Sequence, residues 1–243
     1  MKSMIWDHLQ TLQEEFQDKF RRTGSPSYET GMERFNQPGW INEVYASPSY
    51  RRAHIDVVDA RETKGLWMMH VCIFPHTSND GPVFGFDVIA GKNKMTGAFH
   101  DFSPTVNDDH EMIHHFAEVA QTLKWKRERE LPDWAKAIFT DSMIAAGNVQ
   151  DEAEISQLLT TVSGTLDYYL GNIERFNGNA DDFLCANAQN RYAHFQKQNP
   201  HTPRTMKSLG LDESDVDMFV KECLFPEIDV AGLQQFSERQ KRS

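Results

Sequence analysis

Three ionisable residues stand in the middle of otherwise apolar runs: Asp56 in HIDVV, His70 in WMMHVCIF and Asp87 in FGFDVIA. Acids rarely sit among apolar neighbours without a partner, so the three call for a common explanation. If each run is a strand and successive strands are antiparallel, a turn centred near Thr63 puts Asp56 opposite His70. A second turn, between Ser78 and Asn79, puts His70 opposite Asp87. The three side chains then leave one face in a row, with one strand step of roughly 4.8 Å between neighbours. An apolar wall raises the pKa of a carboxyl, while a histidine between two acids is drawn toward its cation. Such a row can hold a proton ready near neutral pH for general acid chemistry. The same residues also fit a buried Asp–His ion pair beside a partly exposed acid, with no catalytic duty.

The elements that must position this row follow from periodicity. From Trp40 to Phe102 the chain alternates short apolar runs with turn chemistry: WINEVYA, AHIDVVDA, GLWMMHVCIF, PVFGFDVIA and KMTGAFHDF, the pattern of an antiparallel meander. Before it, Ile5, Leu9, Leu12, Phe16 and Phe20 recur at helical spacing, and Gly24 follows Arg21 and Arg22 where a glycine stop belongs, which predicts a helix over 3–23. After Ser103-Pro104 the helical period returns over 108–125, with Asp108 and Glu111 as a capping box, and over 133–146. Ile155, Leu158, Leu159, Val162, Leu166, Leu170 and Ile173 form the strongest apolar stripe. Two further helices are expected over 182–198 and 212–224, joined by the segment NPHTPRT. The fold class is therefore α+β, one domain over 1–230 with a central antiparallel sheet covered by helices on both faces, followed by a loose polar tail over 231–243.

Composition narrows the function. With 36 acids against 25 bases, a formal charge of -11 and 39% hydrophobic residues, the chain has the balance of a soluble globular protein, and extended nucleic-acid binding is disfavoured. Cys72, Cys185 and Cys223 are odd in number and never form a CxxC pair, which suggests neither a disulfide framework nor structural zinc. A reducing cytoplasm is expected. The N-terminus carries acids where a signal peptide needs an apolar stretch, and no run is long enough to span a membrane. PVFGFD is strand-like and lacks GxGxxG, so no dinucleotide fingerprint is seen and reducing equivalents would come from outside.

The chain resembles the ferredoxin-dependent bilin reductases, and within them the phycocyanobilin:ferredoxin oxidoreductase branch, of which it reads as a variant member. The resemblance rests on Arg51-Arg52-Ala53-His54-Ile55-Asp56, His70-Val71-Cys72-Ile73-Phe74-Pro75, the run Pro82 to Gly91, and Asp101-Phe102-Ser103-Pro104-Thr105. It extends to Arg129-Glu130-Leu131-Pro132-Asp133-Trp134 and Asn199-Pro200-His201-Thr202-Pro203-Arg204. It implies an α/β/α sandwich that binds biliverdin IXα between the sheet and the C-terminal helices. It also implies reduction by single electrons from a [2Fe–2S] ferredoxin, with no flavin, haem or metal in the enzyme, which would act as a monomer.

Carried over by position, Asp87 and His70 match the family's proton donors to the bilin, and Asp56 stands where the phycocyanobilin branch has a glutamate. Thr96 matches a hydroxyl ligand of the propionates, Arg129 an arginine ligand and His201 a lysine, while Asn199 lies toward the D-ring end. Arginine suits a carboxylate fork, and His201 can donate when protonated. The aspartate at 56 is one methylene short of the glutamate, and a misplacement of about 1 Å is enough to disable positional proton transfer. The D-ring vinyl is then expected to survive, with four electrons going to the 15,16 methine bridge and the A-ring diene system to give phycoerythrobilin. The branch resemblance alone implies phycocyanobilin, and a bilin carrier without catalysis is the alternative from another class. Pro200 stands where several phycoerythrobilin-forming relatives carry a second aspartate.

Two other signals compete. His110-Glu111-Met112-Ile113-His114 fits HExxH, a zinc-site spacing, but no spaced third ligand follows. Lys124, Lys126, Arg127 and Arg129 around Trp125 are interleaved with Glu128 and Glu130, the texture of a solvated helix end. Arg21, Arg22, Arg51, Arg52, Lys64, Lys92 and Lys94 lie near turns or strand ends, where they would suit docking of an acidic ferredoxin if they gather in space.

Overall fold

The structure, a computed structural model, describes residues 4–28 and 30–233. Its spine is a seven-stranded antiparallel sheet whose spatial order follows the chain: β1 (Ser25–Pro26), β2 (Trp40–Ala46), β3 (Arg52–Ala60), β4 (Leu66–Phe74), β5 (Val83–Gly91), β6 (Met95–Ser103) and β7 (Ile144–Val149). Period-two alternation divides the side chains between two cores. Ile55, Val57, Met69, Val71, Phe84, Phe86 and Val88 face a core closed by α1 (Met4–Thr23), α3 (Glu111–Ala120) and α5 (Glu152–Asn172). Val58, Cys72, Phe74 and Val83 face a second core built with α6 (Asp182–Gln196), α7 (His201–Ser208) and the π-helical stretch Phe219–Leu224 that continues α8 (Glu213–Met218). This is the expected α/β/α sandwich.

The first core is dense in aromatics. Phe16 lies 6.2–6.4 Å from the rings of Phe20, Phe84 and Phe86, tying α1 to the sheet, and its truncation to alanine would cost about 3–5 kcal/mol. Gly24 does end α1, yet for close approach and not for a left-handed turn: a Cβ there would lie 2.7 Å from the Tyr50 hydroxyl and 2.8 Å from the Ala46 carbonyl oxygen.

Four expectations need correction. The helix expected over 108–125 is α3 alone, and its cap is His110, whose Nδ1 accepts from the Met112 amide at 3.1 Å, while Asp109 is drawn into a turn by Asn107. The helix expected over 133–146 is the single turn α4 (Asp133–Lys136) followed by β7, because the open edge of β6 takes the run Ile144–Val149 as a strand partner. NPHTPRT is mostly helix: α7 starts at His201, and Pro203 falls in its first turn, where the amide is not needed. The last helix covers 213–224 as expected, though it widens to π geometry at Phe219. Of the tail expected to be loose, residues 231–233 are helical instead, and 234–243 lie outside the described residues.

Candidate functional site

Both hairpin registers place the row as expected, with Asp56 paired to His70 across β3 and β4 and His70 paired to Asp87 across β4 and β5. A four-residue helix, α2 (Arg61–Lys64), makes the first turn and ends at Gly65 in the left-handed conformation, φ 61°. The two acids then part company. Asp87 meets His70, Nδ1 to Oδ1 at 2.6 Å, and its side chain is 43% exposed, so it is an open carboxylate and not a buried one. Asp56 is 7% exposed and turns away from the histidine, its Oδ1 accepting from the indole N–H of Trp40 at 2.5 Å.

The electrostatics follow from this split. Burial opposes a charge on His70, but the Asp87 carboxylate, its hydrogen bond and the more distant Asp56 outweigh that and raise the imidazole pKa. Burial pushes the Asp56 carboxyl up to about 6, against the pull of the Trp40 hydrogen bond and of His70. One row thus holds a histidine biased toward its cation and an acid poised to be neutral close to physiological pH.

Asp56, His70 and Asp87 form part of the floor of a cleft of about 480 Å³ between the sheet and the C-terminal helices. Its apolar walls include Met68 and Ile89 from the sheet, Phe99 from β6, Trp134, Phe139 and Met143 from the segment around α4, and Leu224 and Phe225. Asp101 anchors that segment, accepting from the Thr140 amide at 3.0 Å and the Thr140 hydroxyl at 2.5 Å. Phe225 stands edge-on to the His70 ring, 5.6 Å between centroids, and to His54 at 6.1 Å.

Of the other expected ligands, Arg129, Asn199 and His201 line the cleft. Arg129 lies over the strands at two glycines: a Cβ on Gly147 would stand 3.0 Å from its Cγ, and one on Gly97 3.8 Å from its Nη1. Asn199 Oδ1 accepts from the His201 amide at 3.0 Å, fixing the entry of α7. Thr96 is elsewhere. It occupies the bulge where the β5–β6 register shifts, and its hydroxyl donates to the Ile89 carbonyl at 3.1 Å, so the donor a propionate would need is already used. Sequence reasoning missed Trp40, whose indole partner lies one strand away, and Arg204, a further cation on the cleft wall next to the motif residues that were read.

The competing signals resolve locally. His110 spends Nδ1 on the helix cap, and His114 pairs with the exposed Asp109 at 2.7 Å, so the HExxH residues act as a helix start; among the described residues no group of three potential ligands gathers. No helix of the described residues is long and apolar enough to cross a membrane. The basic residues divide between two ends of the sheet. Lys64, Lys92 and Lys94 share the end where Gly65 and Gly91 approach each other, beside the cleft, whereas Arg21 and Arg51 lie at the opposite end, Arg21 on Glu43 and Arg51 on Gln189. Arg52 is buried.

Comparisons with known proteins agree with this architecture. Residues 27–226 match the profile of the family described as ferredoxin-dependent bilin reductase. Phycocyanobilin:ferredoxin oxidoreductase of Synechococcus sp. (strain CC9605) is 27% identical over 197 residues, covering 76% of this chain and 74% of the relative, and that of Prochlorococcus marinus (strain MIT 9313) is 27% identical over 190 residues, covering 76% and 69%. Among solved structures, PcyX superposes with a TM-score of 0.70 at 35% identity over 91% of this chain and 99% of its own. Phytochromobilin synthase from tomato, in complex with biliverdin, shares the fold with a TM-score of 0.70 at 16% identity, over 93% and 84%. A sheet of the same architecture, an acid–histidine pair on the floor of its cleft and a family match across most of the chain lead to one conclusion: this protein belongs to the ferredoxin-dependent bilin reductases and is an oxidoreductase of that family.

Proposed function

We propose that the chain reduces biliverdin IXα to phycoerythrobilin, with electrons entering singly from a reduced [2Fe–2S] ferredoxin and protons delivered by Asp87 and His70, and that residues 1–230 act as one domain in doing so. The observation that carries the reading is the His70–Asp87 pair: a half-exposed carboxylate hydrogen-bonded to a cation-prone imidazole on the floor of an otherwise apolar cleft. Each electron added to the bilin raises its basicity, and a proton donor already within the cleft meets that demand without bulk water. Arg129 and Arg204 on the walls supply positive partners for two propionates, and the His201 ring a further hydrogen-bond donor. Four electrons and four protons convert biliverdin to phycoerythrobilin, so the row must be reloaded from solvent between steps, which the exposure of Asp87 allows.

The choice of product rests on Asp56. Its carboxyl is short, nearly buried and already bonded to Trp40, which favours survival of the vinyl group on the D ring. The test is oxygen-free incubation of the protein and biliverdin with reduced ferredoxin, followed by absorbance and by chromatography of the released bilin. Phycoerythrobilin is the expected product. An ethyl group on the D ring, as in phycocyanobilin, would refute the reading of Asp56, and an unchanged spectrum would make the protein a carrier.

A further inference from the structure

Behind the row lies a cation that the proposed chemistry does not use. Arg52 is 4% exposed and has no carboxylate partner among the described residues. Its guanidinium donates instead to the backbone carbonyls of Cys223 at 2.8 Å and Leu224 at 3.2 Å, the end of the π-helical stretch, and to His54 Nδ1. A guanidinium only donates. His54 Nδ1 must therefore offer a lone pair, which leaves the ring proton on Nε2. The His54 ring in turn stacks on His70, 4.8 Å between centroids at an interplanar angle of 28°.

We infer that Arg52 is a positioning residue that holds His54 as the neutral Nε2–H tautomer, so that the mobile proton of the row resides on the His70–Asp87 pair alone. The inference rests on the proposed role of that pair as proton donor. Two stacked imidazoles compete for one proton. To accept it, His54 would have to give up the Arg52 hydrogen bond and place a second cation, fully buried, in contact with the first. His70 loses no partner on protonation, because its Nδ1–H already donates to Asp87, whose charge outweighs burial and Arg52. The two rings meet different surroundings. Burial, Arg52 and His70 all depress the His54 pKa well below its usual value, whereas His70 has Asp87 and Asp56 to outweigh burial and Arg52; Arg51, Cys72 and Cys223 surround Arg52 itself. The same guanidinium fixes the carbonyls that precede Phe225, so the aromatic edge over both rings is set by the residue that sets their protonation.

NMR of the 15N-histidine-labelled full chain separates the two neutral tautomers from the cation without any bilin present, with Arg52→Lys and Arg52→Gln as variants. Between pH 5.5 and 8, His54 of the unaltered protein should remain neutral with its proton on Nε2 while His70 titrates. Arg52→Gln keeps a donor and removes the charge. His54 should then titrate within that window, and the pH profile of single-turnover biliverdin reduction should gain an ionisation, with a roughly tenfold lower rate at pH 7. Arg52→Lys should preserve both the neutral His54 and the wild-type profile. A cationic or Nδ1–H His54 in the unaltered protein overturns the inference even if neither variant folds, as does an Arg52→Gln protein with unchanged His54 titration and pH profile. Failure of the chain to reduce biliverdin would refute the proposed function instead, and the histidine spectra would still decide the state of His54.

Discussion

The two faces of the sheet each carry a mid-strand histidine among apolar neighbours, and they make opposite use of it. On the face covered by α1, α3 and α5, His100 is fully buried among Phe84, Phe86, Phe102 and Phe116, with Nδ1 donating to the Gly85 carbonyl at 2.7 Å and Nε2 meeting the Thr165 hydroxyl at 2.7 Å. Burial drives its pKa down to about 4, so it is a neutral packing residue with both nitrogens satisfied. On the other face, burial also opposes a charge on His70, but the ring gains an acid partner and an open cleft, and its pKa rises. Desolvation alone disarms a histidine. A carboxylate within hydrogen-bond reach, on a wall that substrate can touch, arms it.

The strongest test of this contrast is Asp87→Asn. It should still bind biliverdin, because the amide keeps the shape, yet product formation should fall by about two orders of magnitude or more with a reduced intermediate accumulating; anaerobic absorbance spectra report both. Wild-type turnover would remove Asp87 from the mechanism.

The histidines themselves can be exchanged for glutamine in parallel. His70→Gln should slow single-turnover reduction by roughly 10- to 100-fold. His100→Gln should leave the rate within about twofold and act on stability, costing about 1–3 kcal/mol in denaturant titration through two disturbed buried hydrogen bonds. Its pH signature is specific. In the unfolded chain His100 regains a pKa near 6.5, so below that pH the unfolded state binds a proton that the folded state refuses until about pH 4. Wild-type stability from this group is therefore complete above pH 6.5 and lost as the pH falls toward 4, by about 3 kcal/mol in all. The gap between wild type and His100→Gln should shrink over that window, and a gap independent of pH would contradict the neutral assignment.

A subtler change sharpens the contrast between the two acids of the row. Asp56→Glu extends the buried carboxyl past its Trp40 tether and should divert part of the product to a bilin with an ethyl D ring, seen by chromatography; an unchanged product would place specificity elsewhere in the cleft. The smallest expected effect belongs to the lysines beside the cleft. Converting Lys64, Lys92 and Lys94 to glutamate together should raise the KM for ferredoxin several-fold and flatten its salt dependence, whereas charge reversal of Arg21 and Arg22 at the other end should do neither.

Much of this was legible before any coordinates. Strand alternation and the centres of the two short turns fix register by local arithmetic, because a hairpin leaves its strands little freedom once the turn is set. Asp56, His70 and Asp87 therefore fall into line from the sequence alone, and the motifs around them bring the family. What the sequence could not reveal depends on contacts between distant segments. The run 133–146 has a helical period, yet only its first turn is helix and its end joins a strand, because β6 lay open to it. Asp56 was read as the partner of His70, but the Trp40 indole, reached only when β2 docks on β3, claims its carboxyl. Arg52 looked like a surface charge in a basic pair, and only the π-helical stretch, some 170 residues away, supplies the carbonyls that bury it. Local periodicity decides which residues share a face; which of them is desolvated, which is paired and which meets a cleft is decided only when the far segments pack, since the free energy of a charge depends on everything within several ångströms and not on its neighbours in the chain.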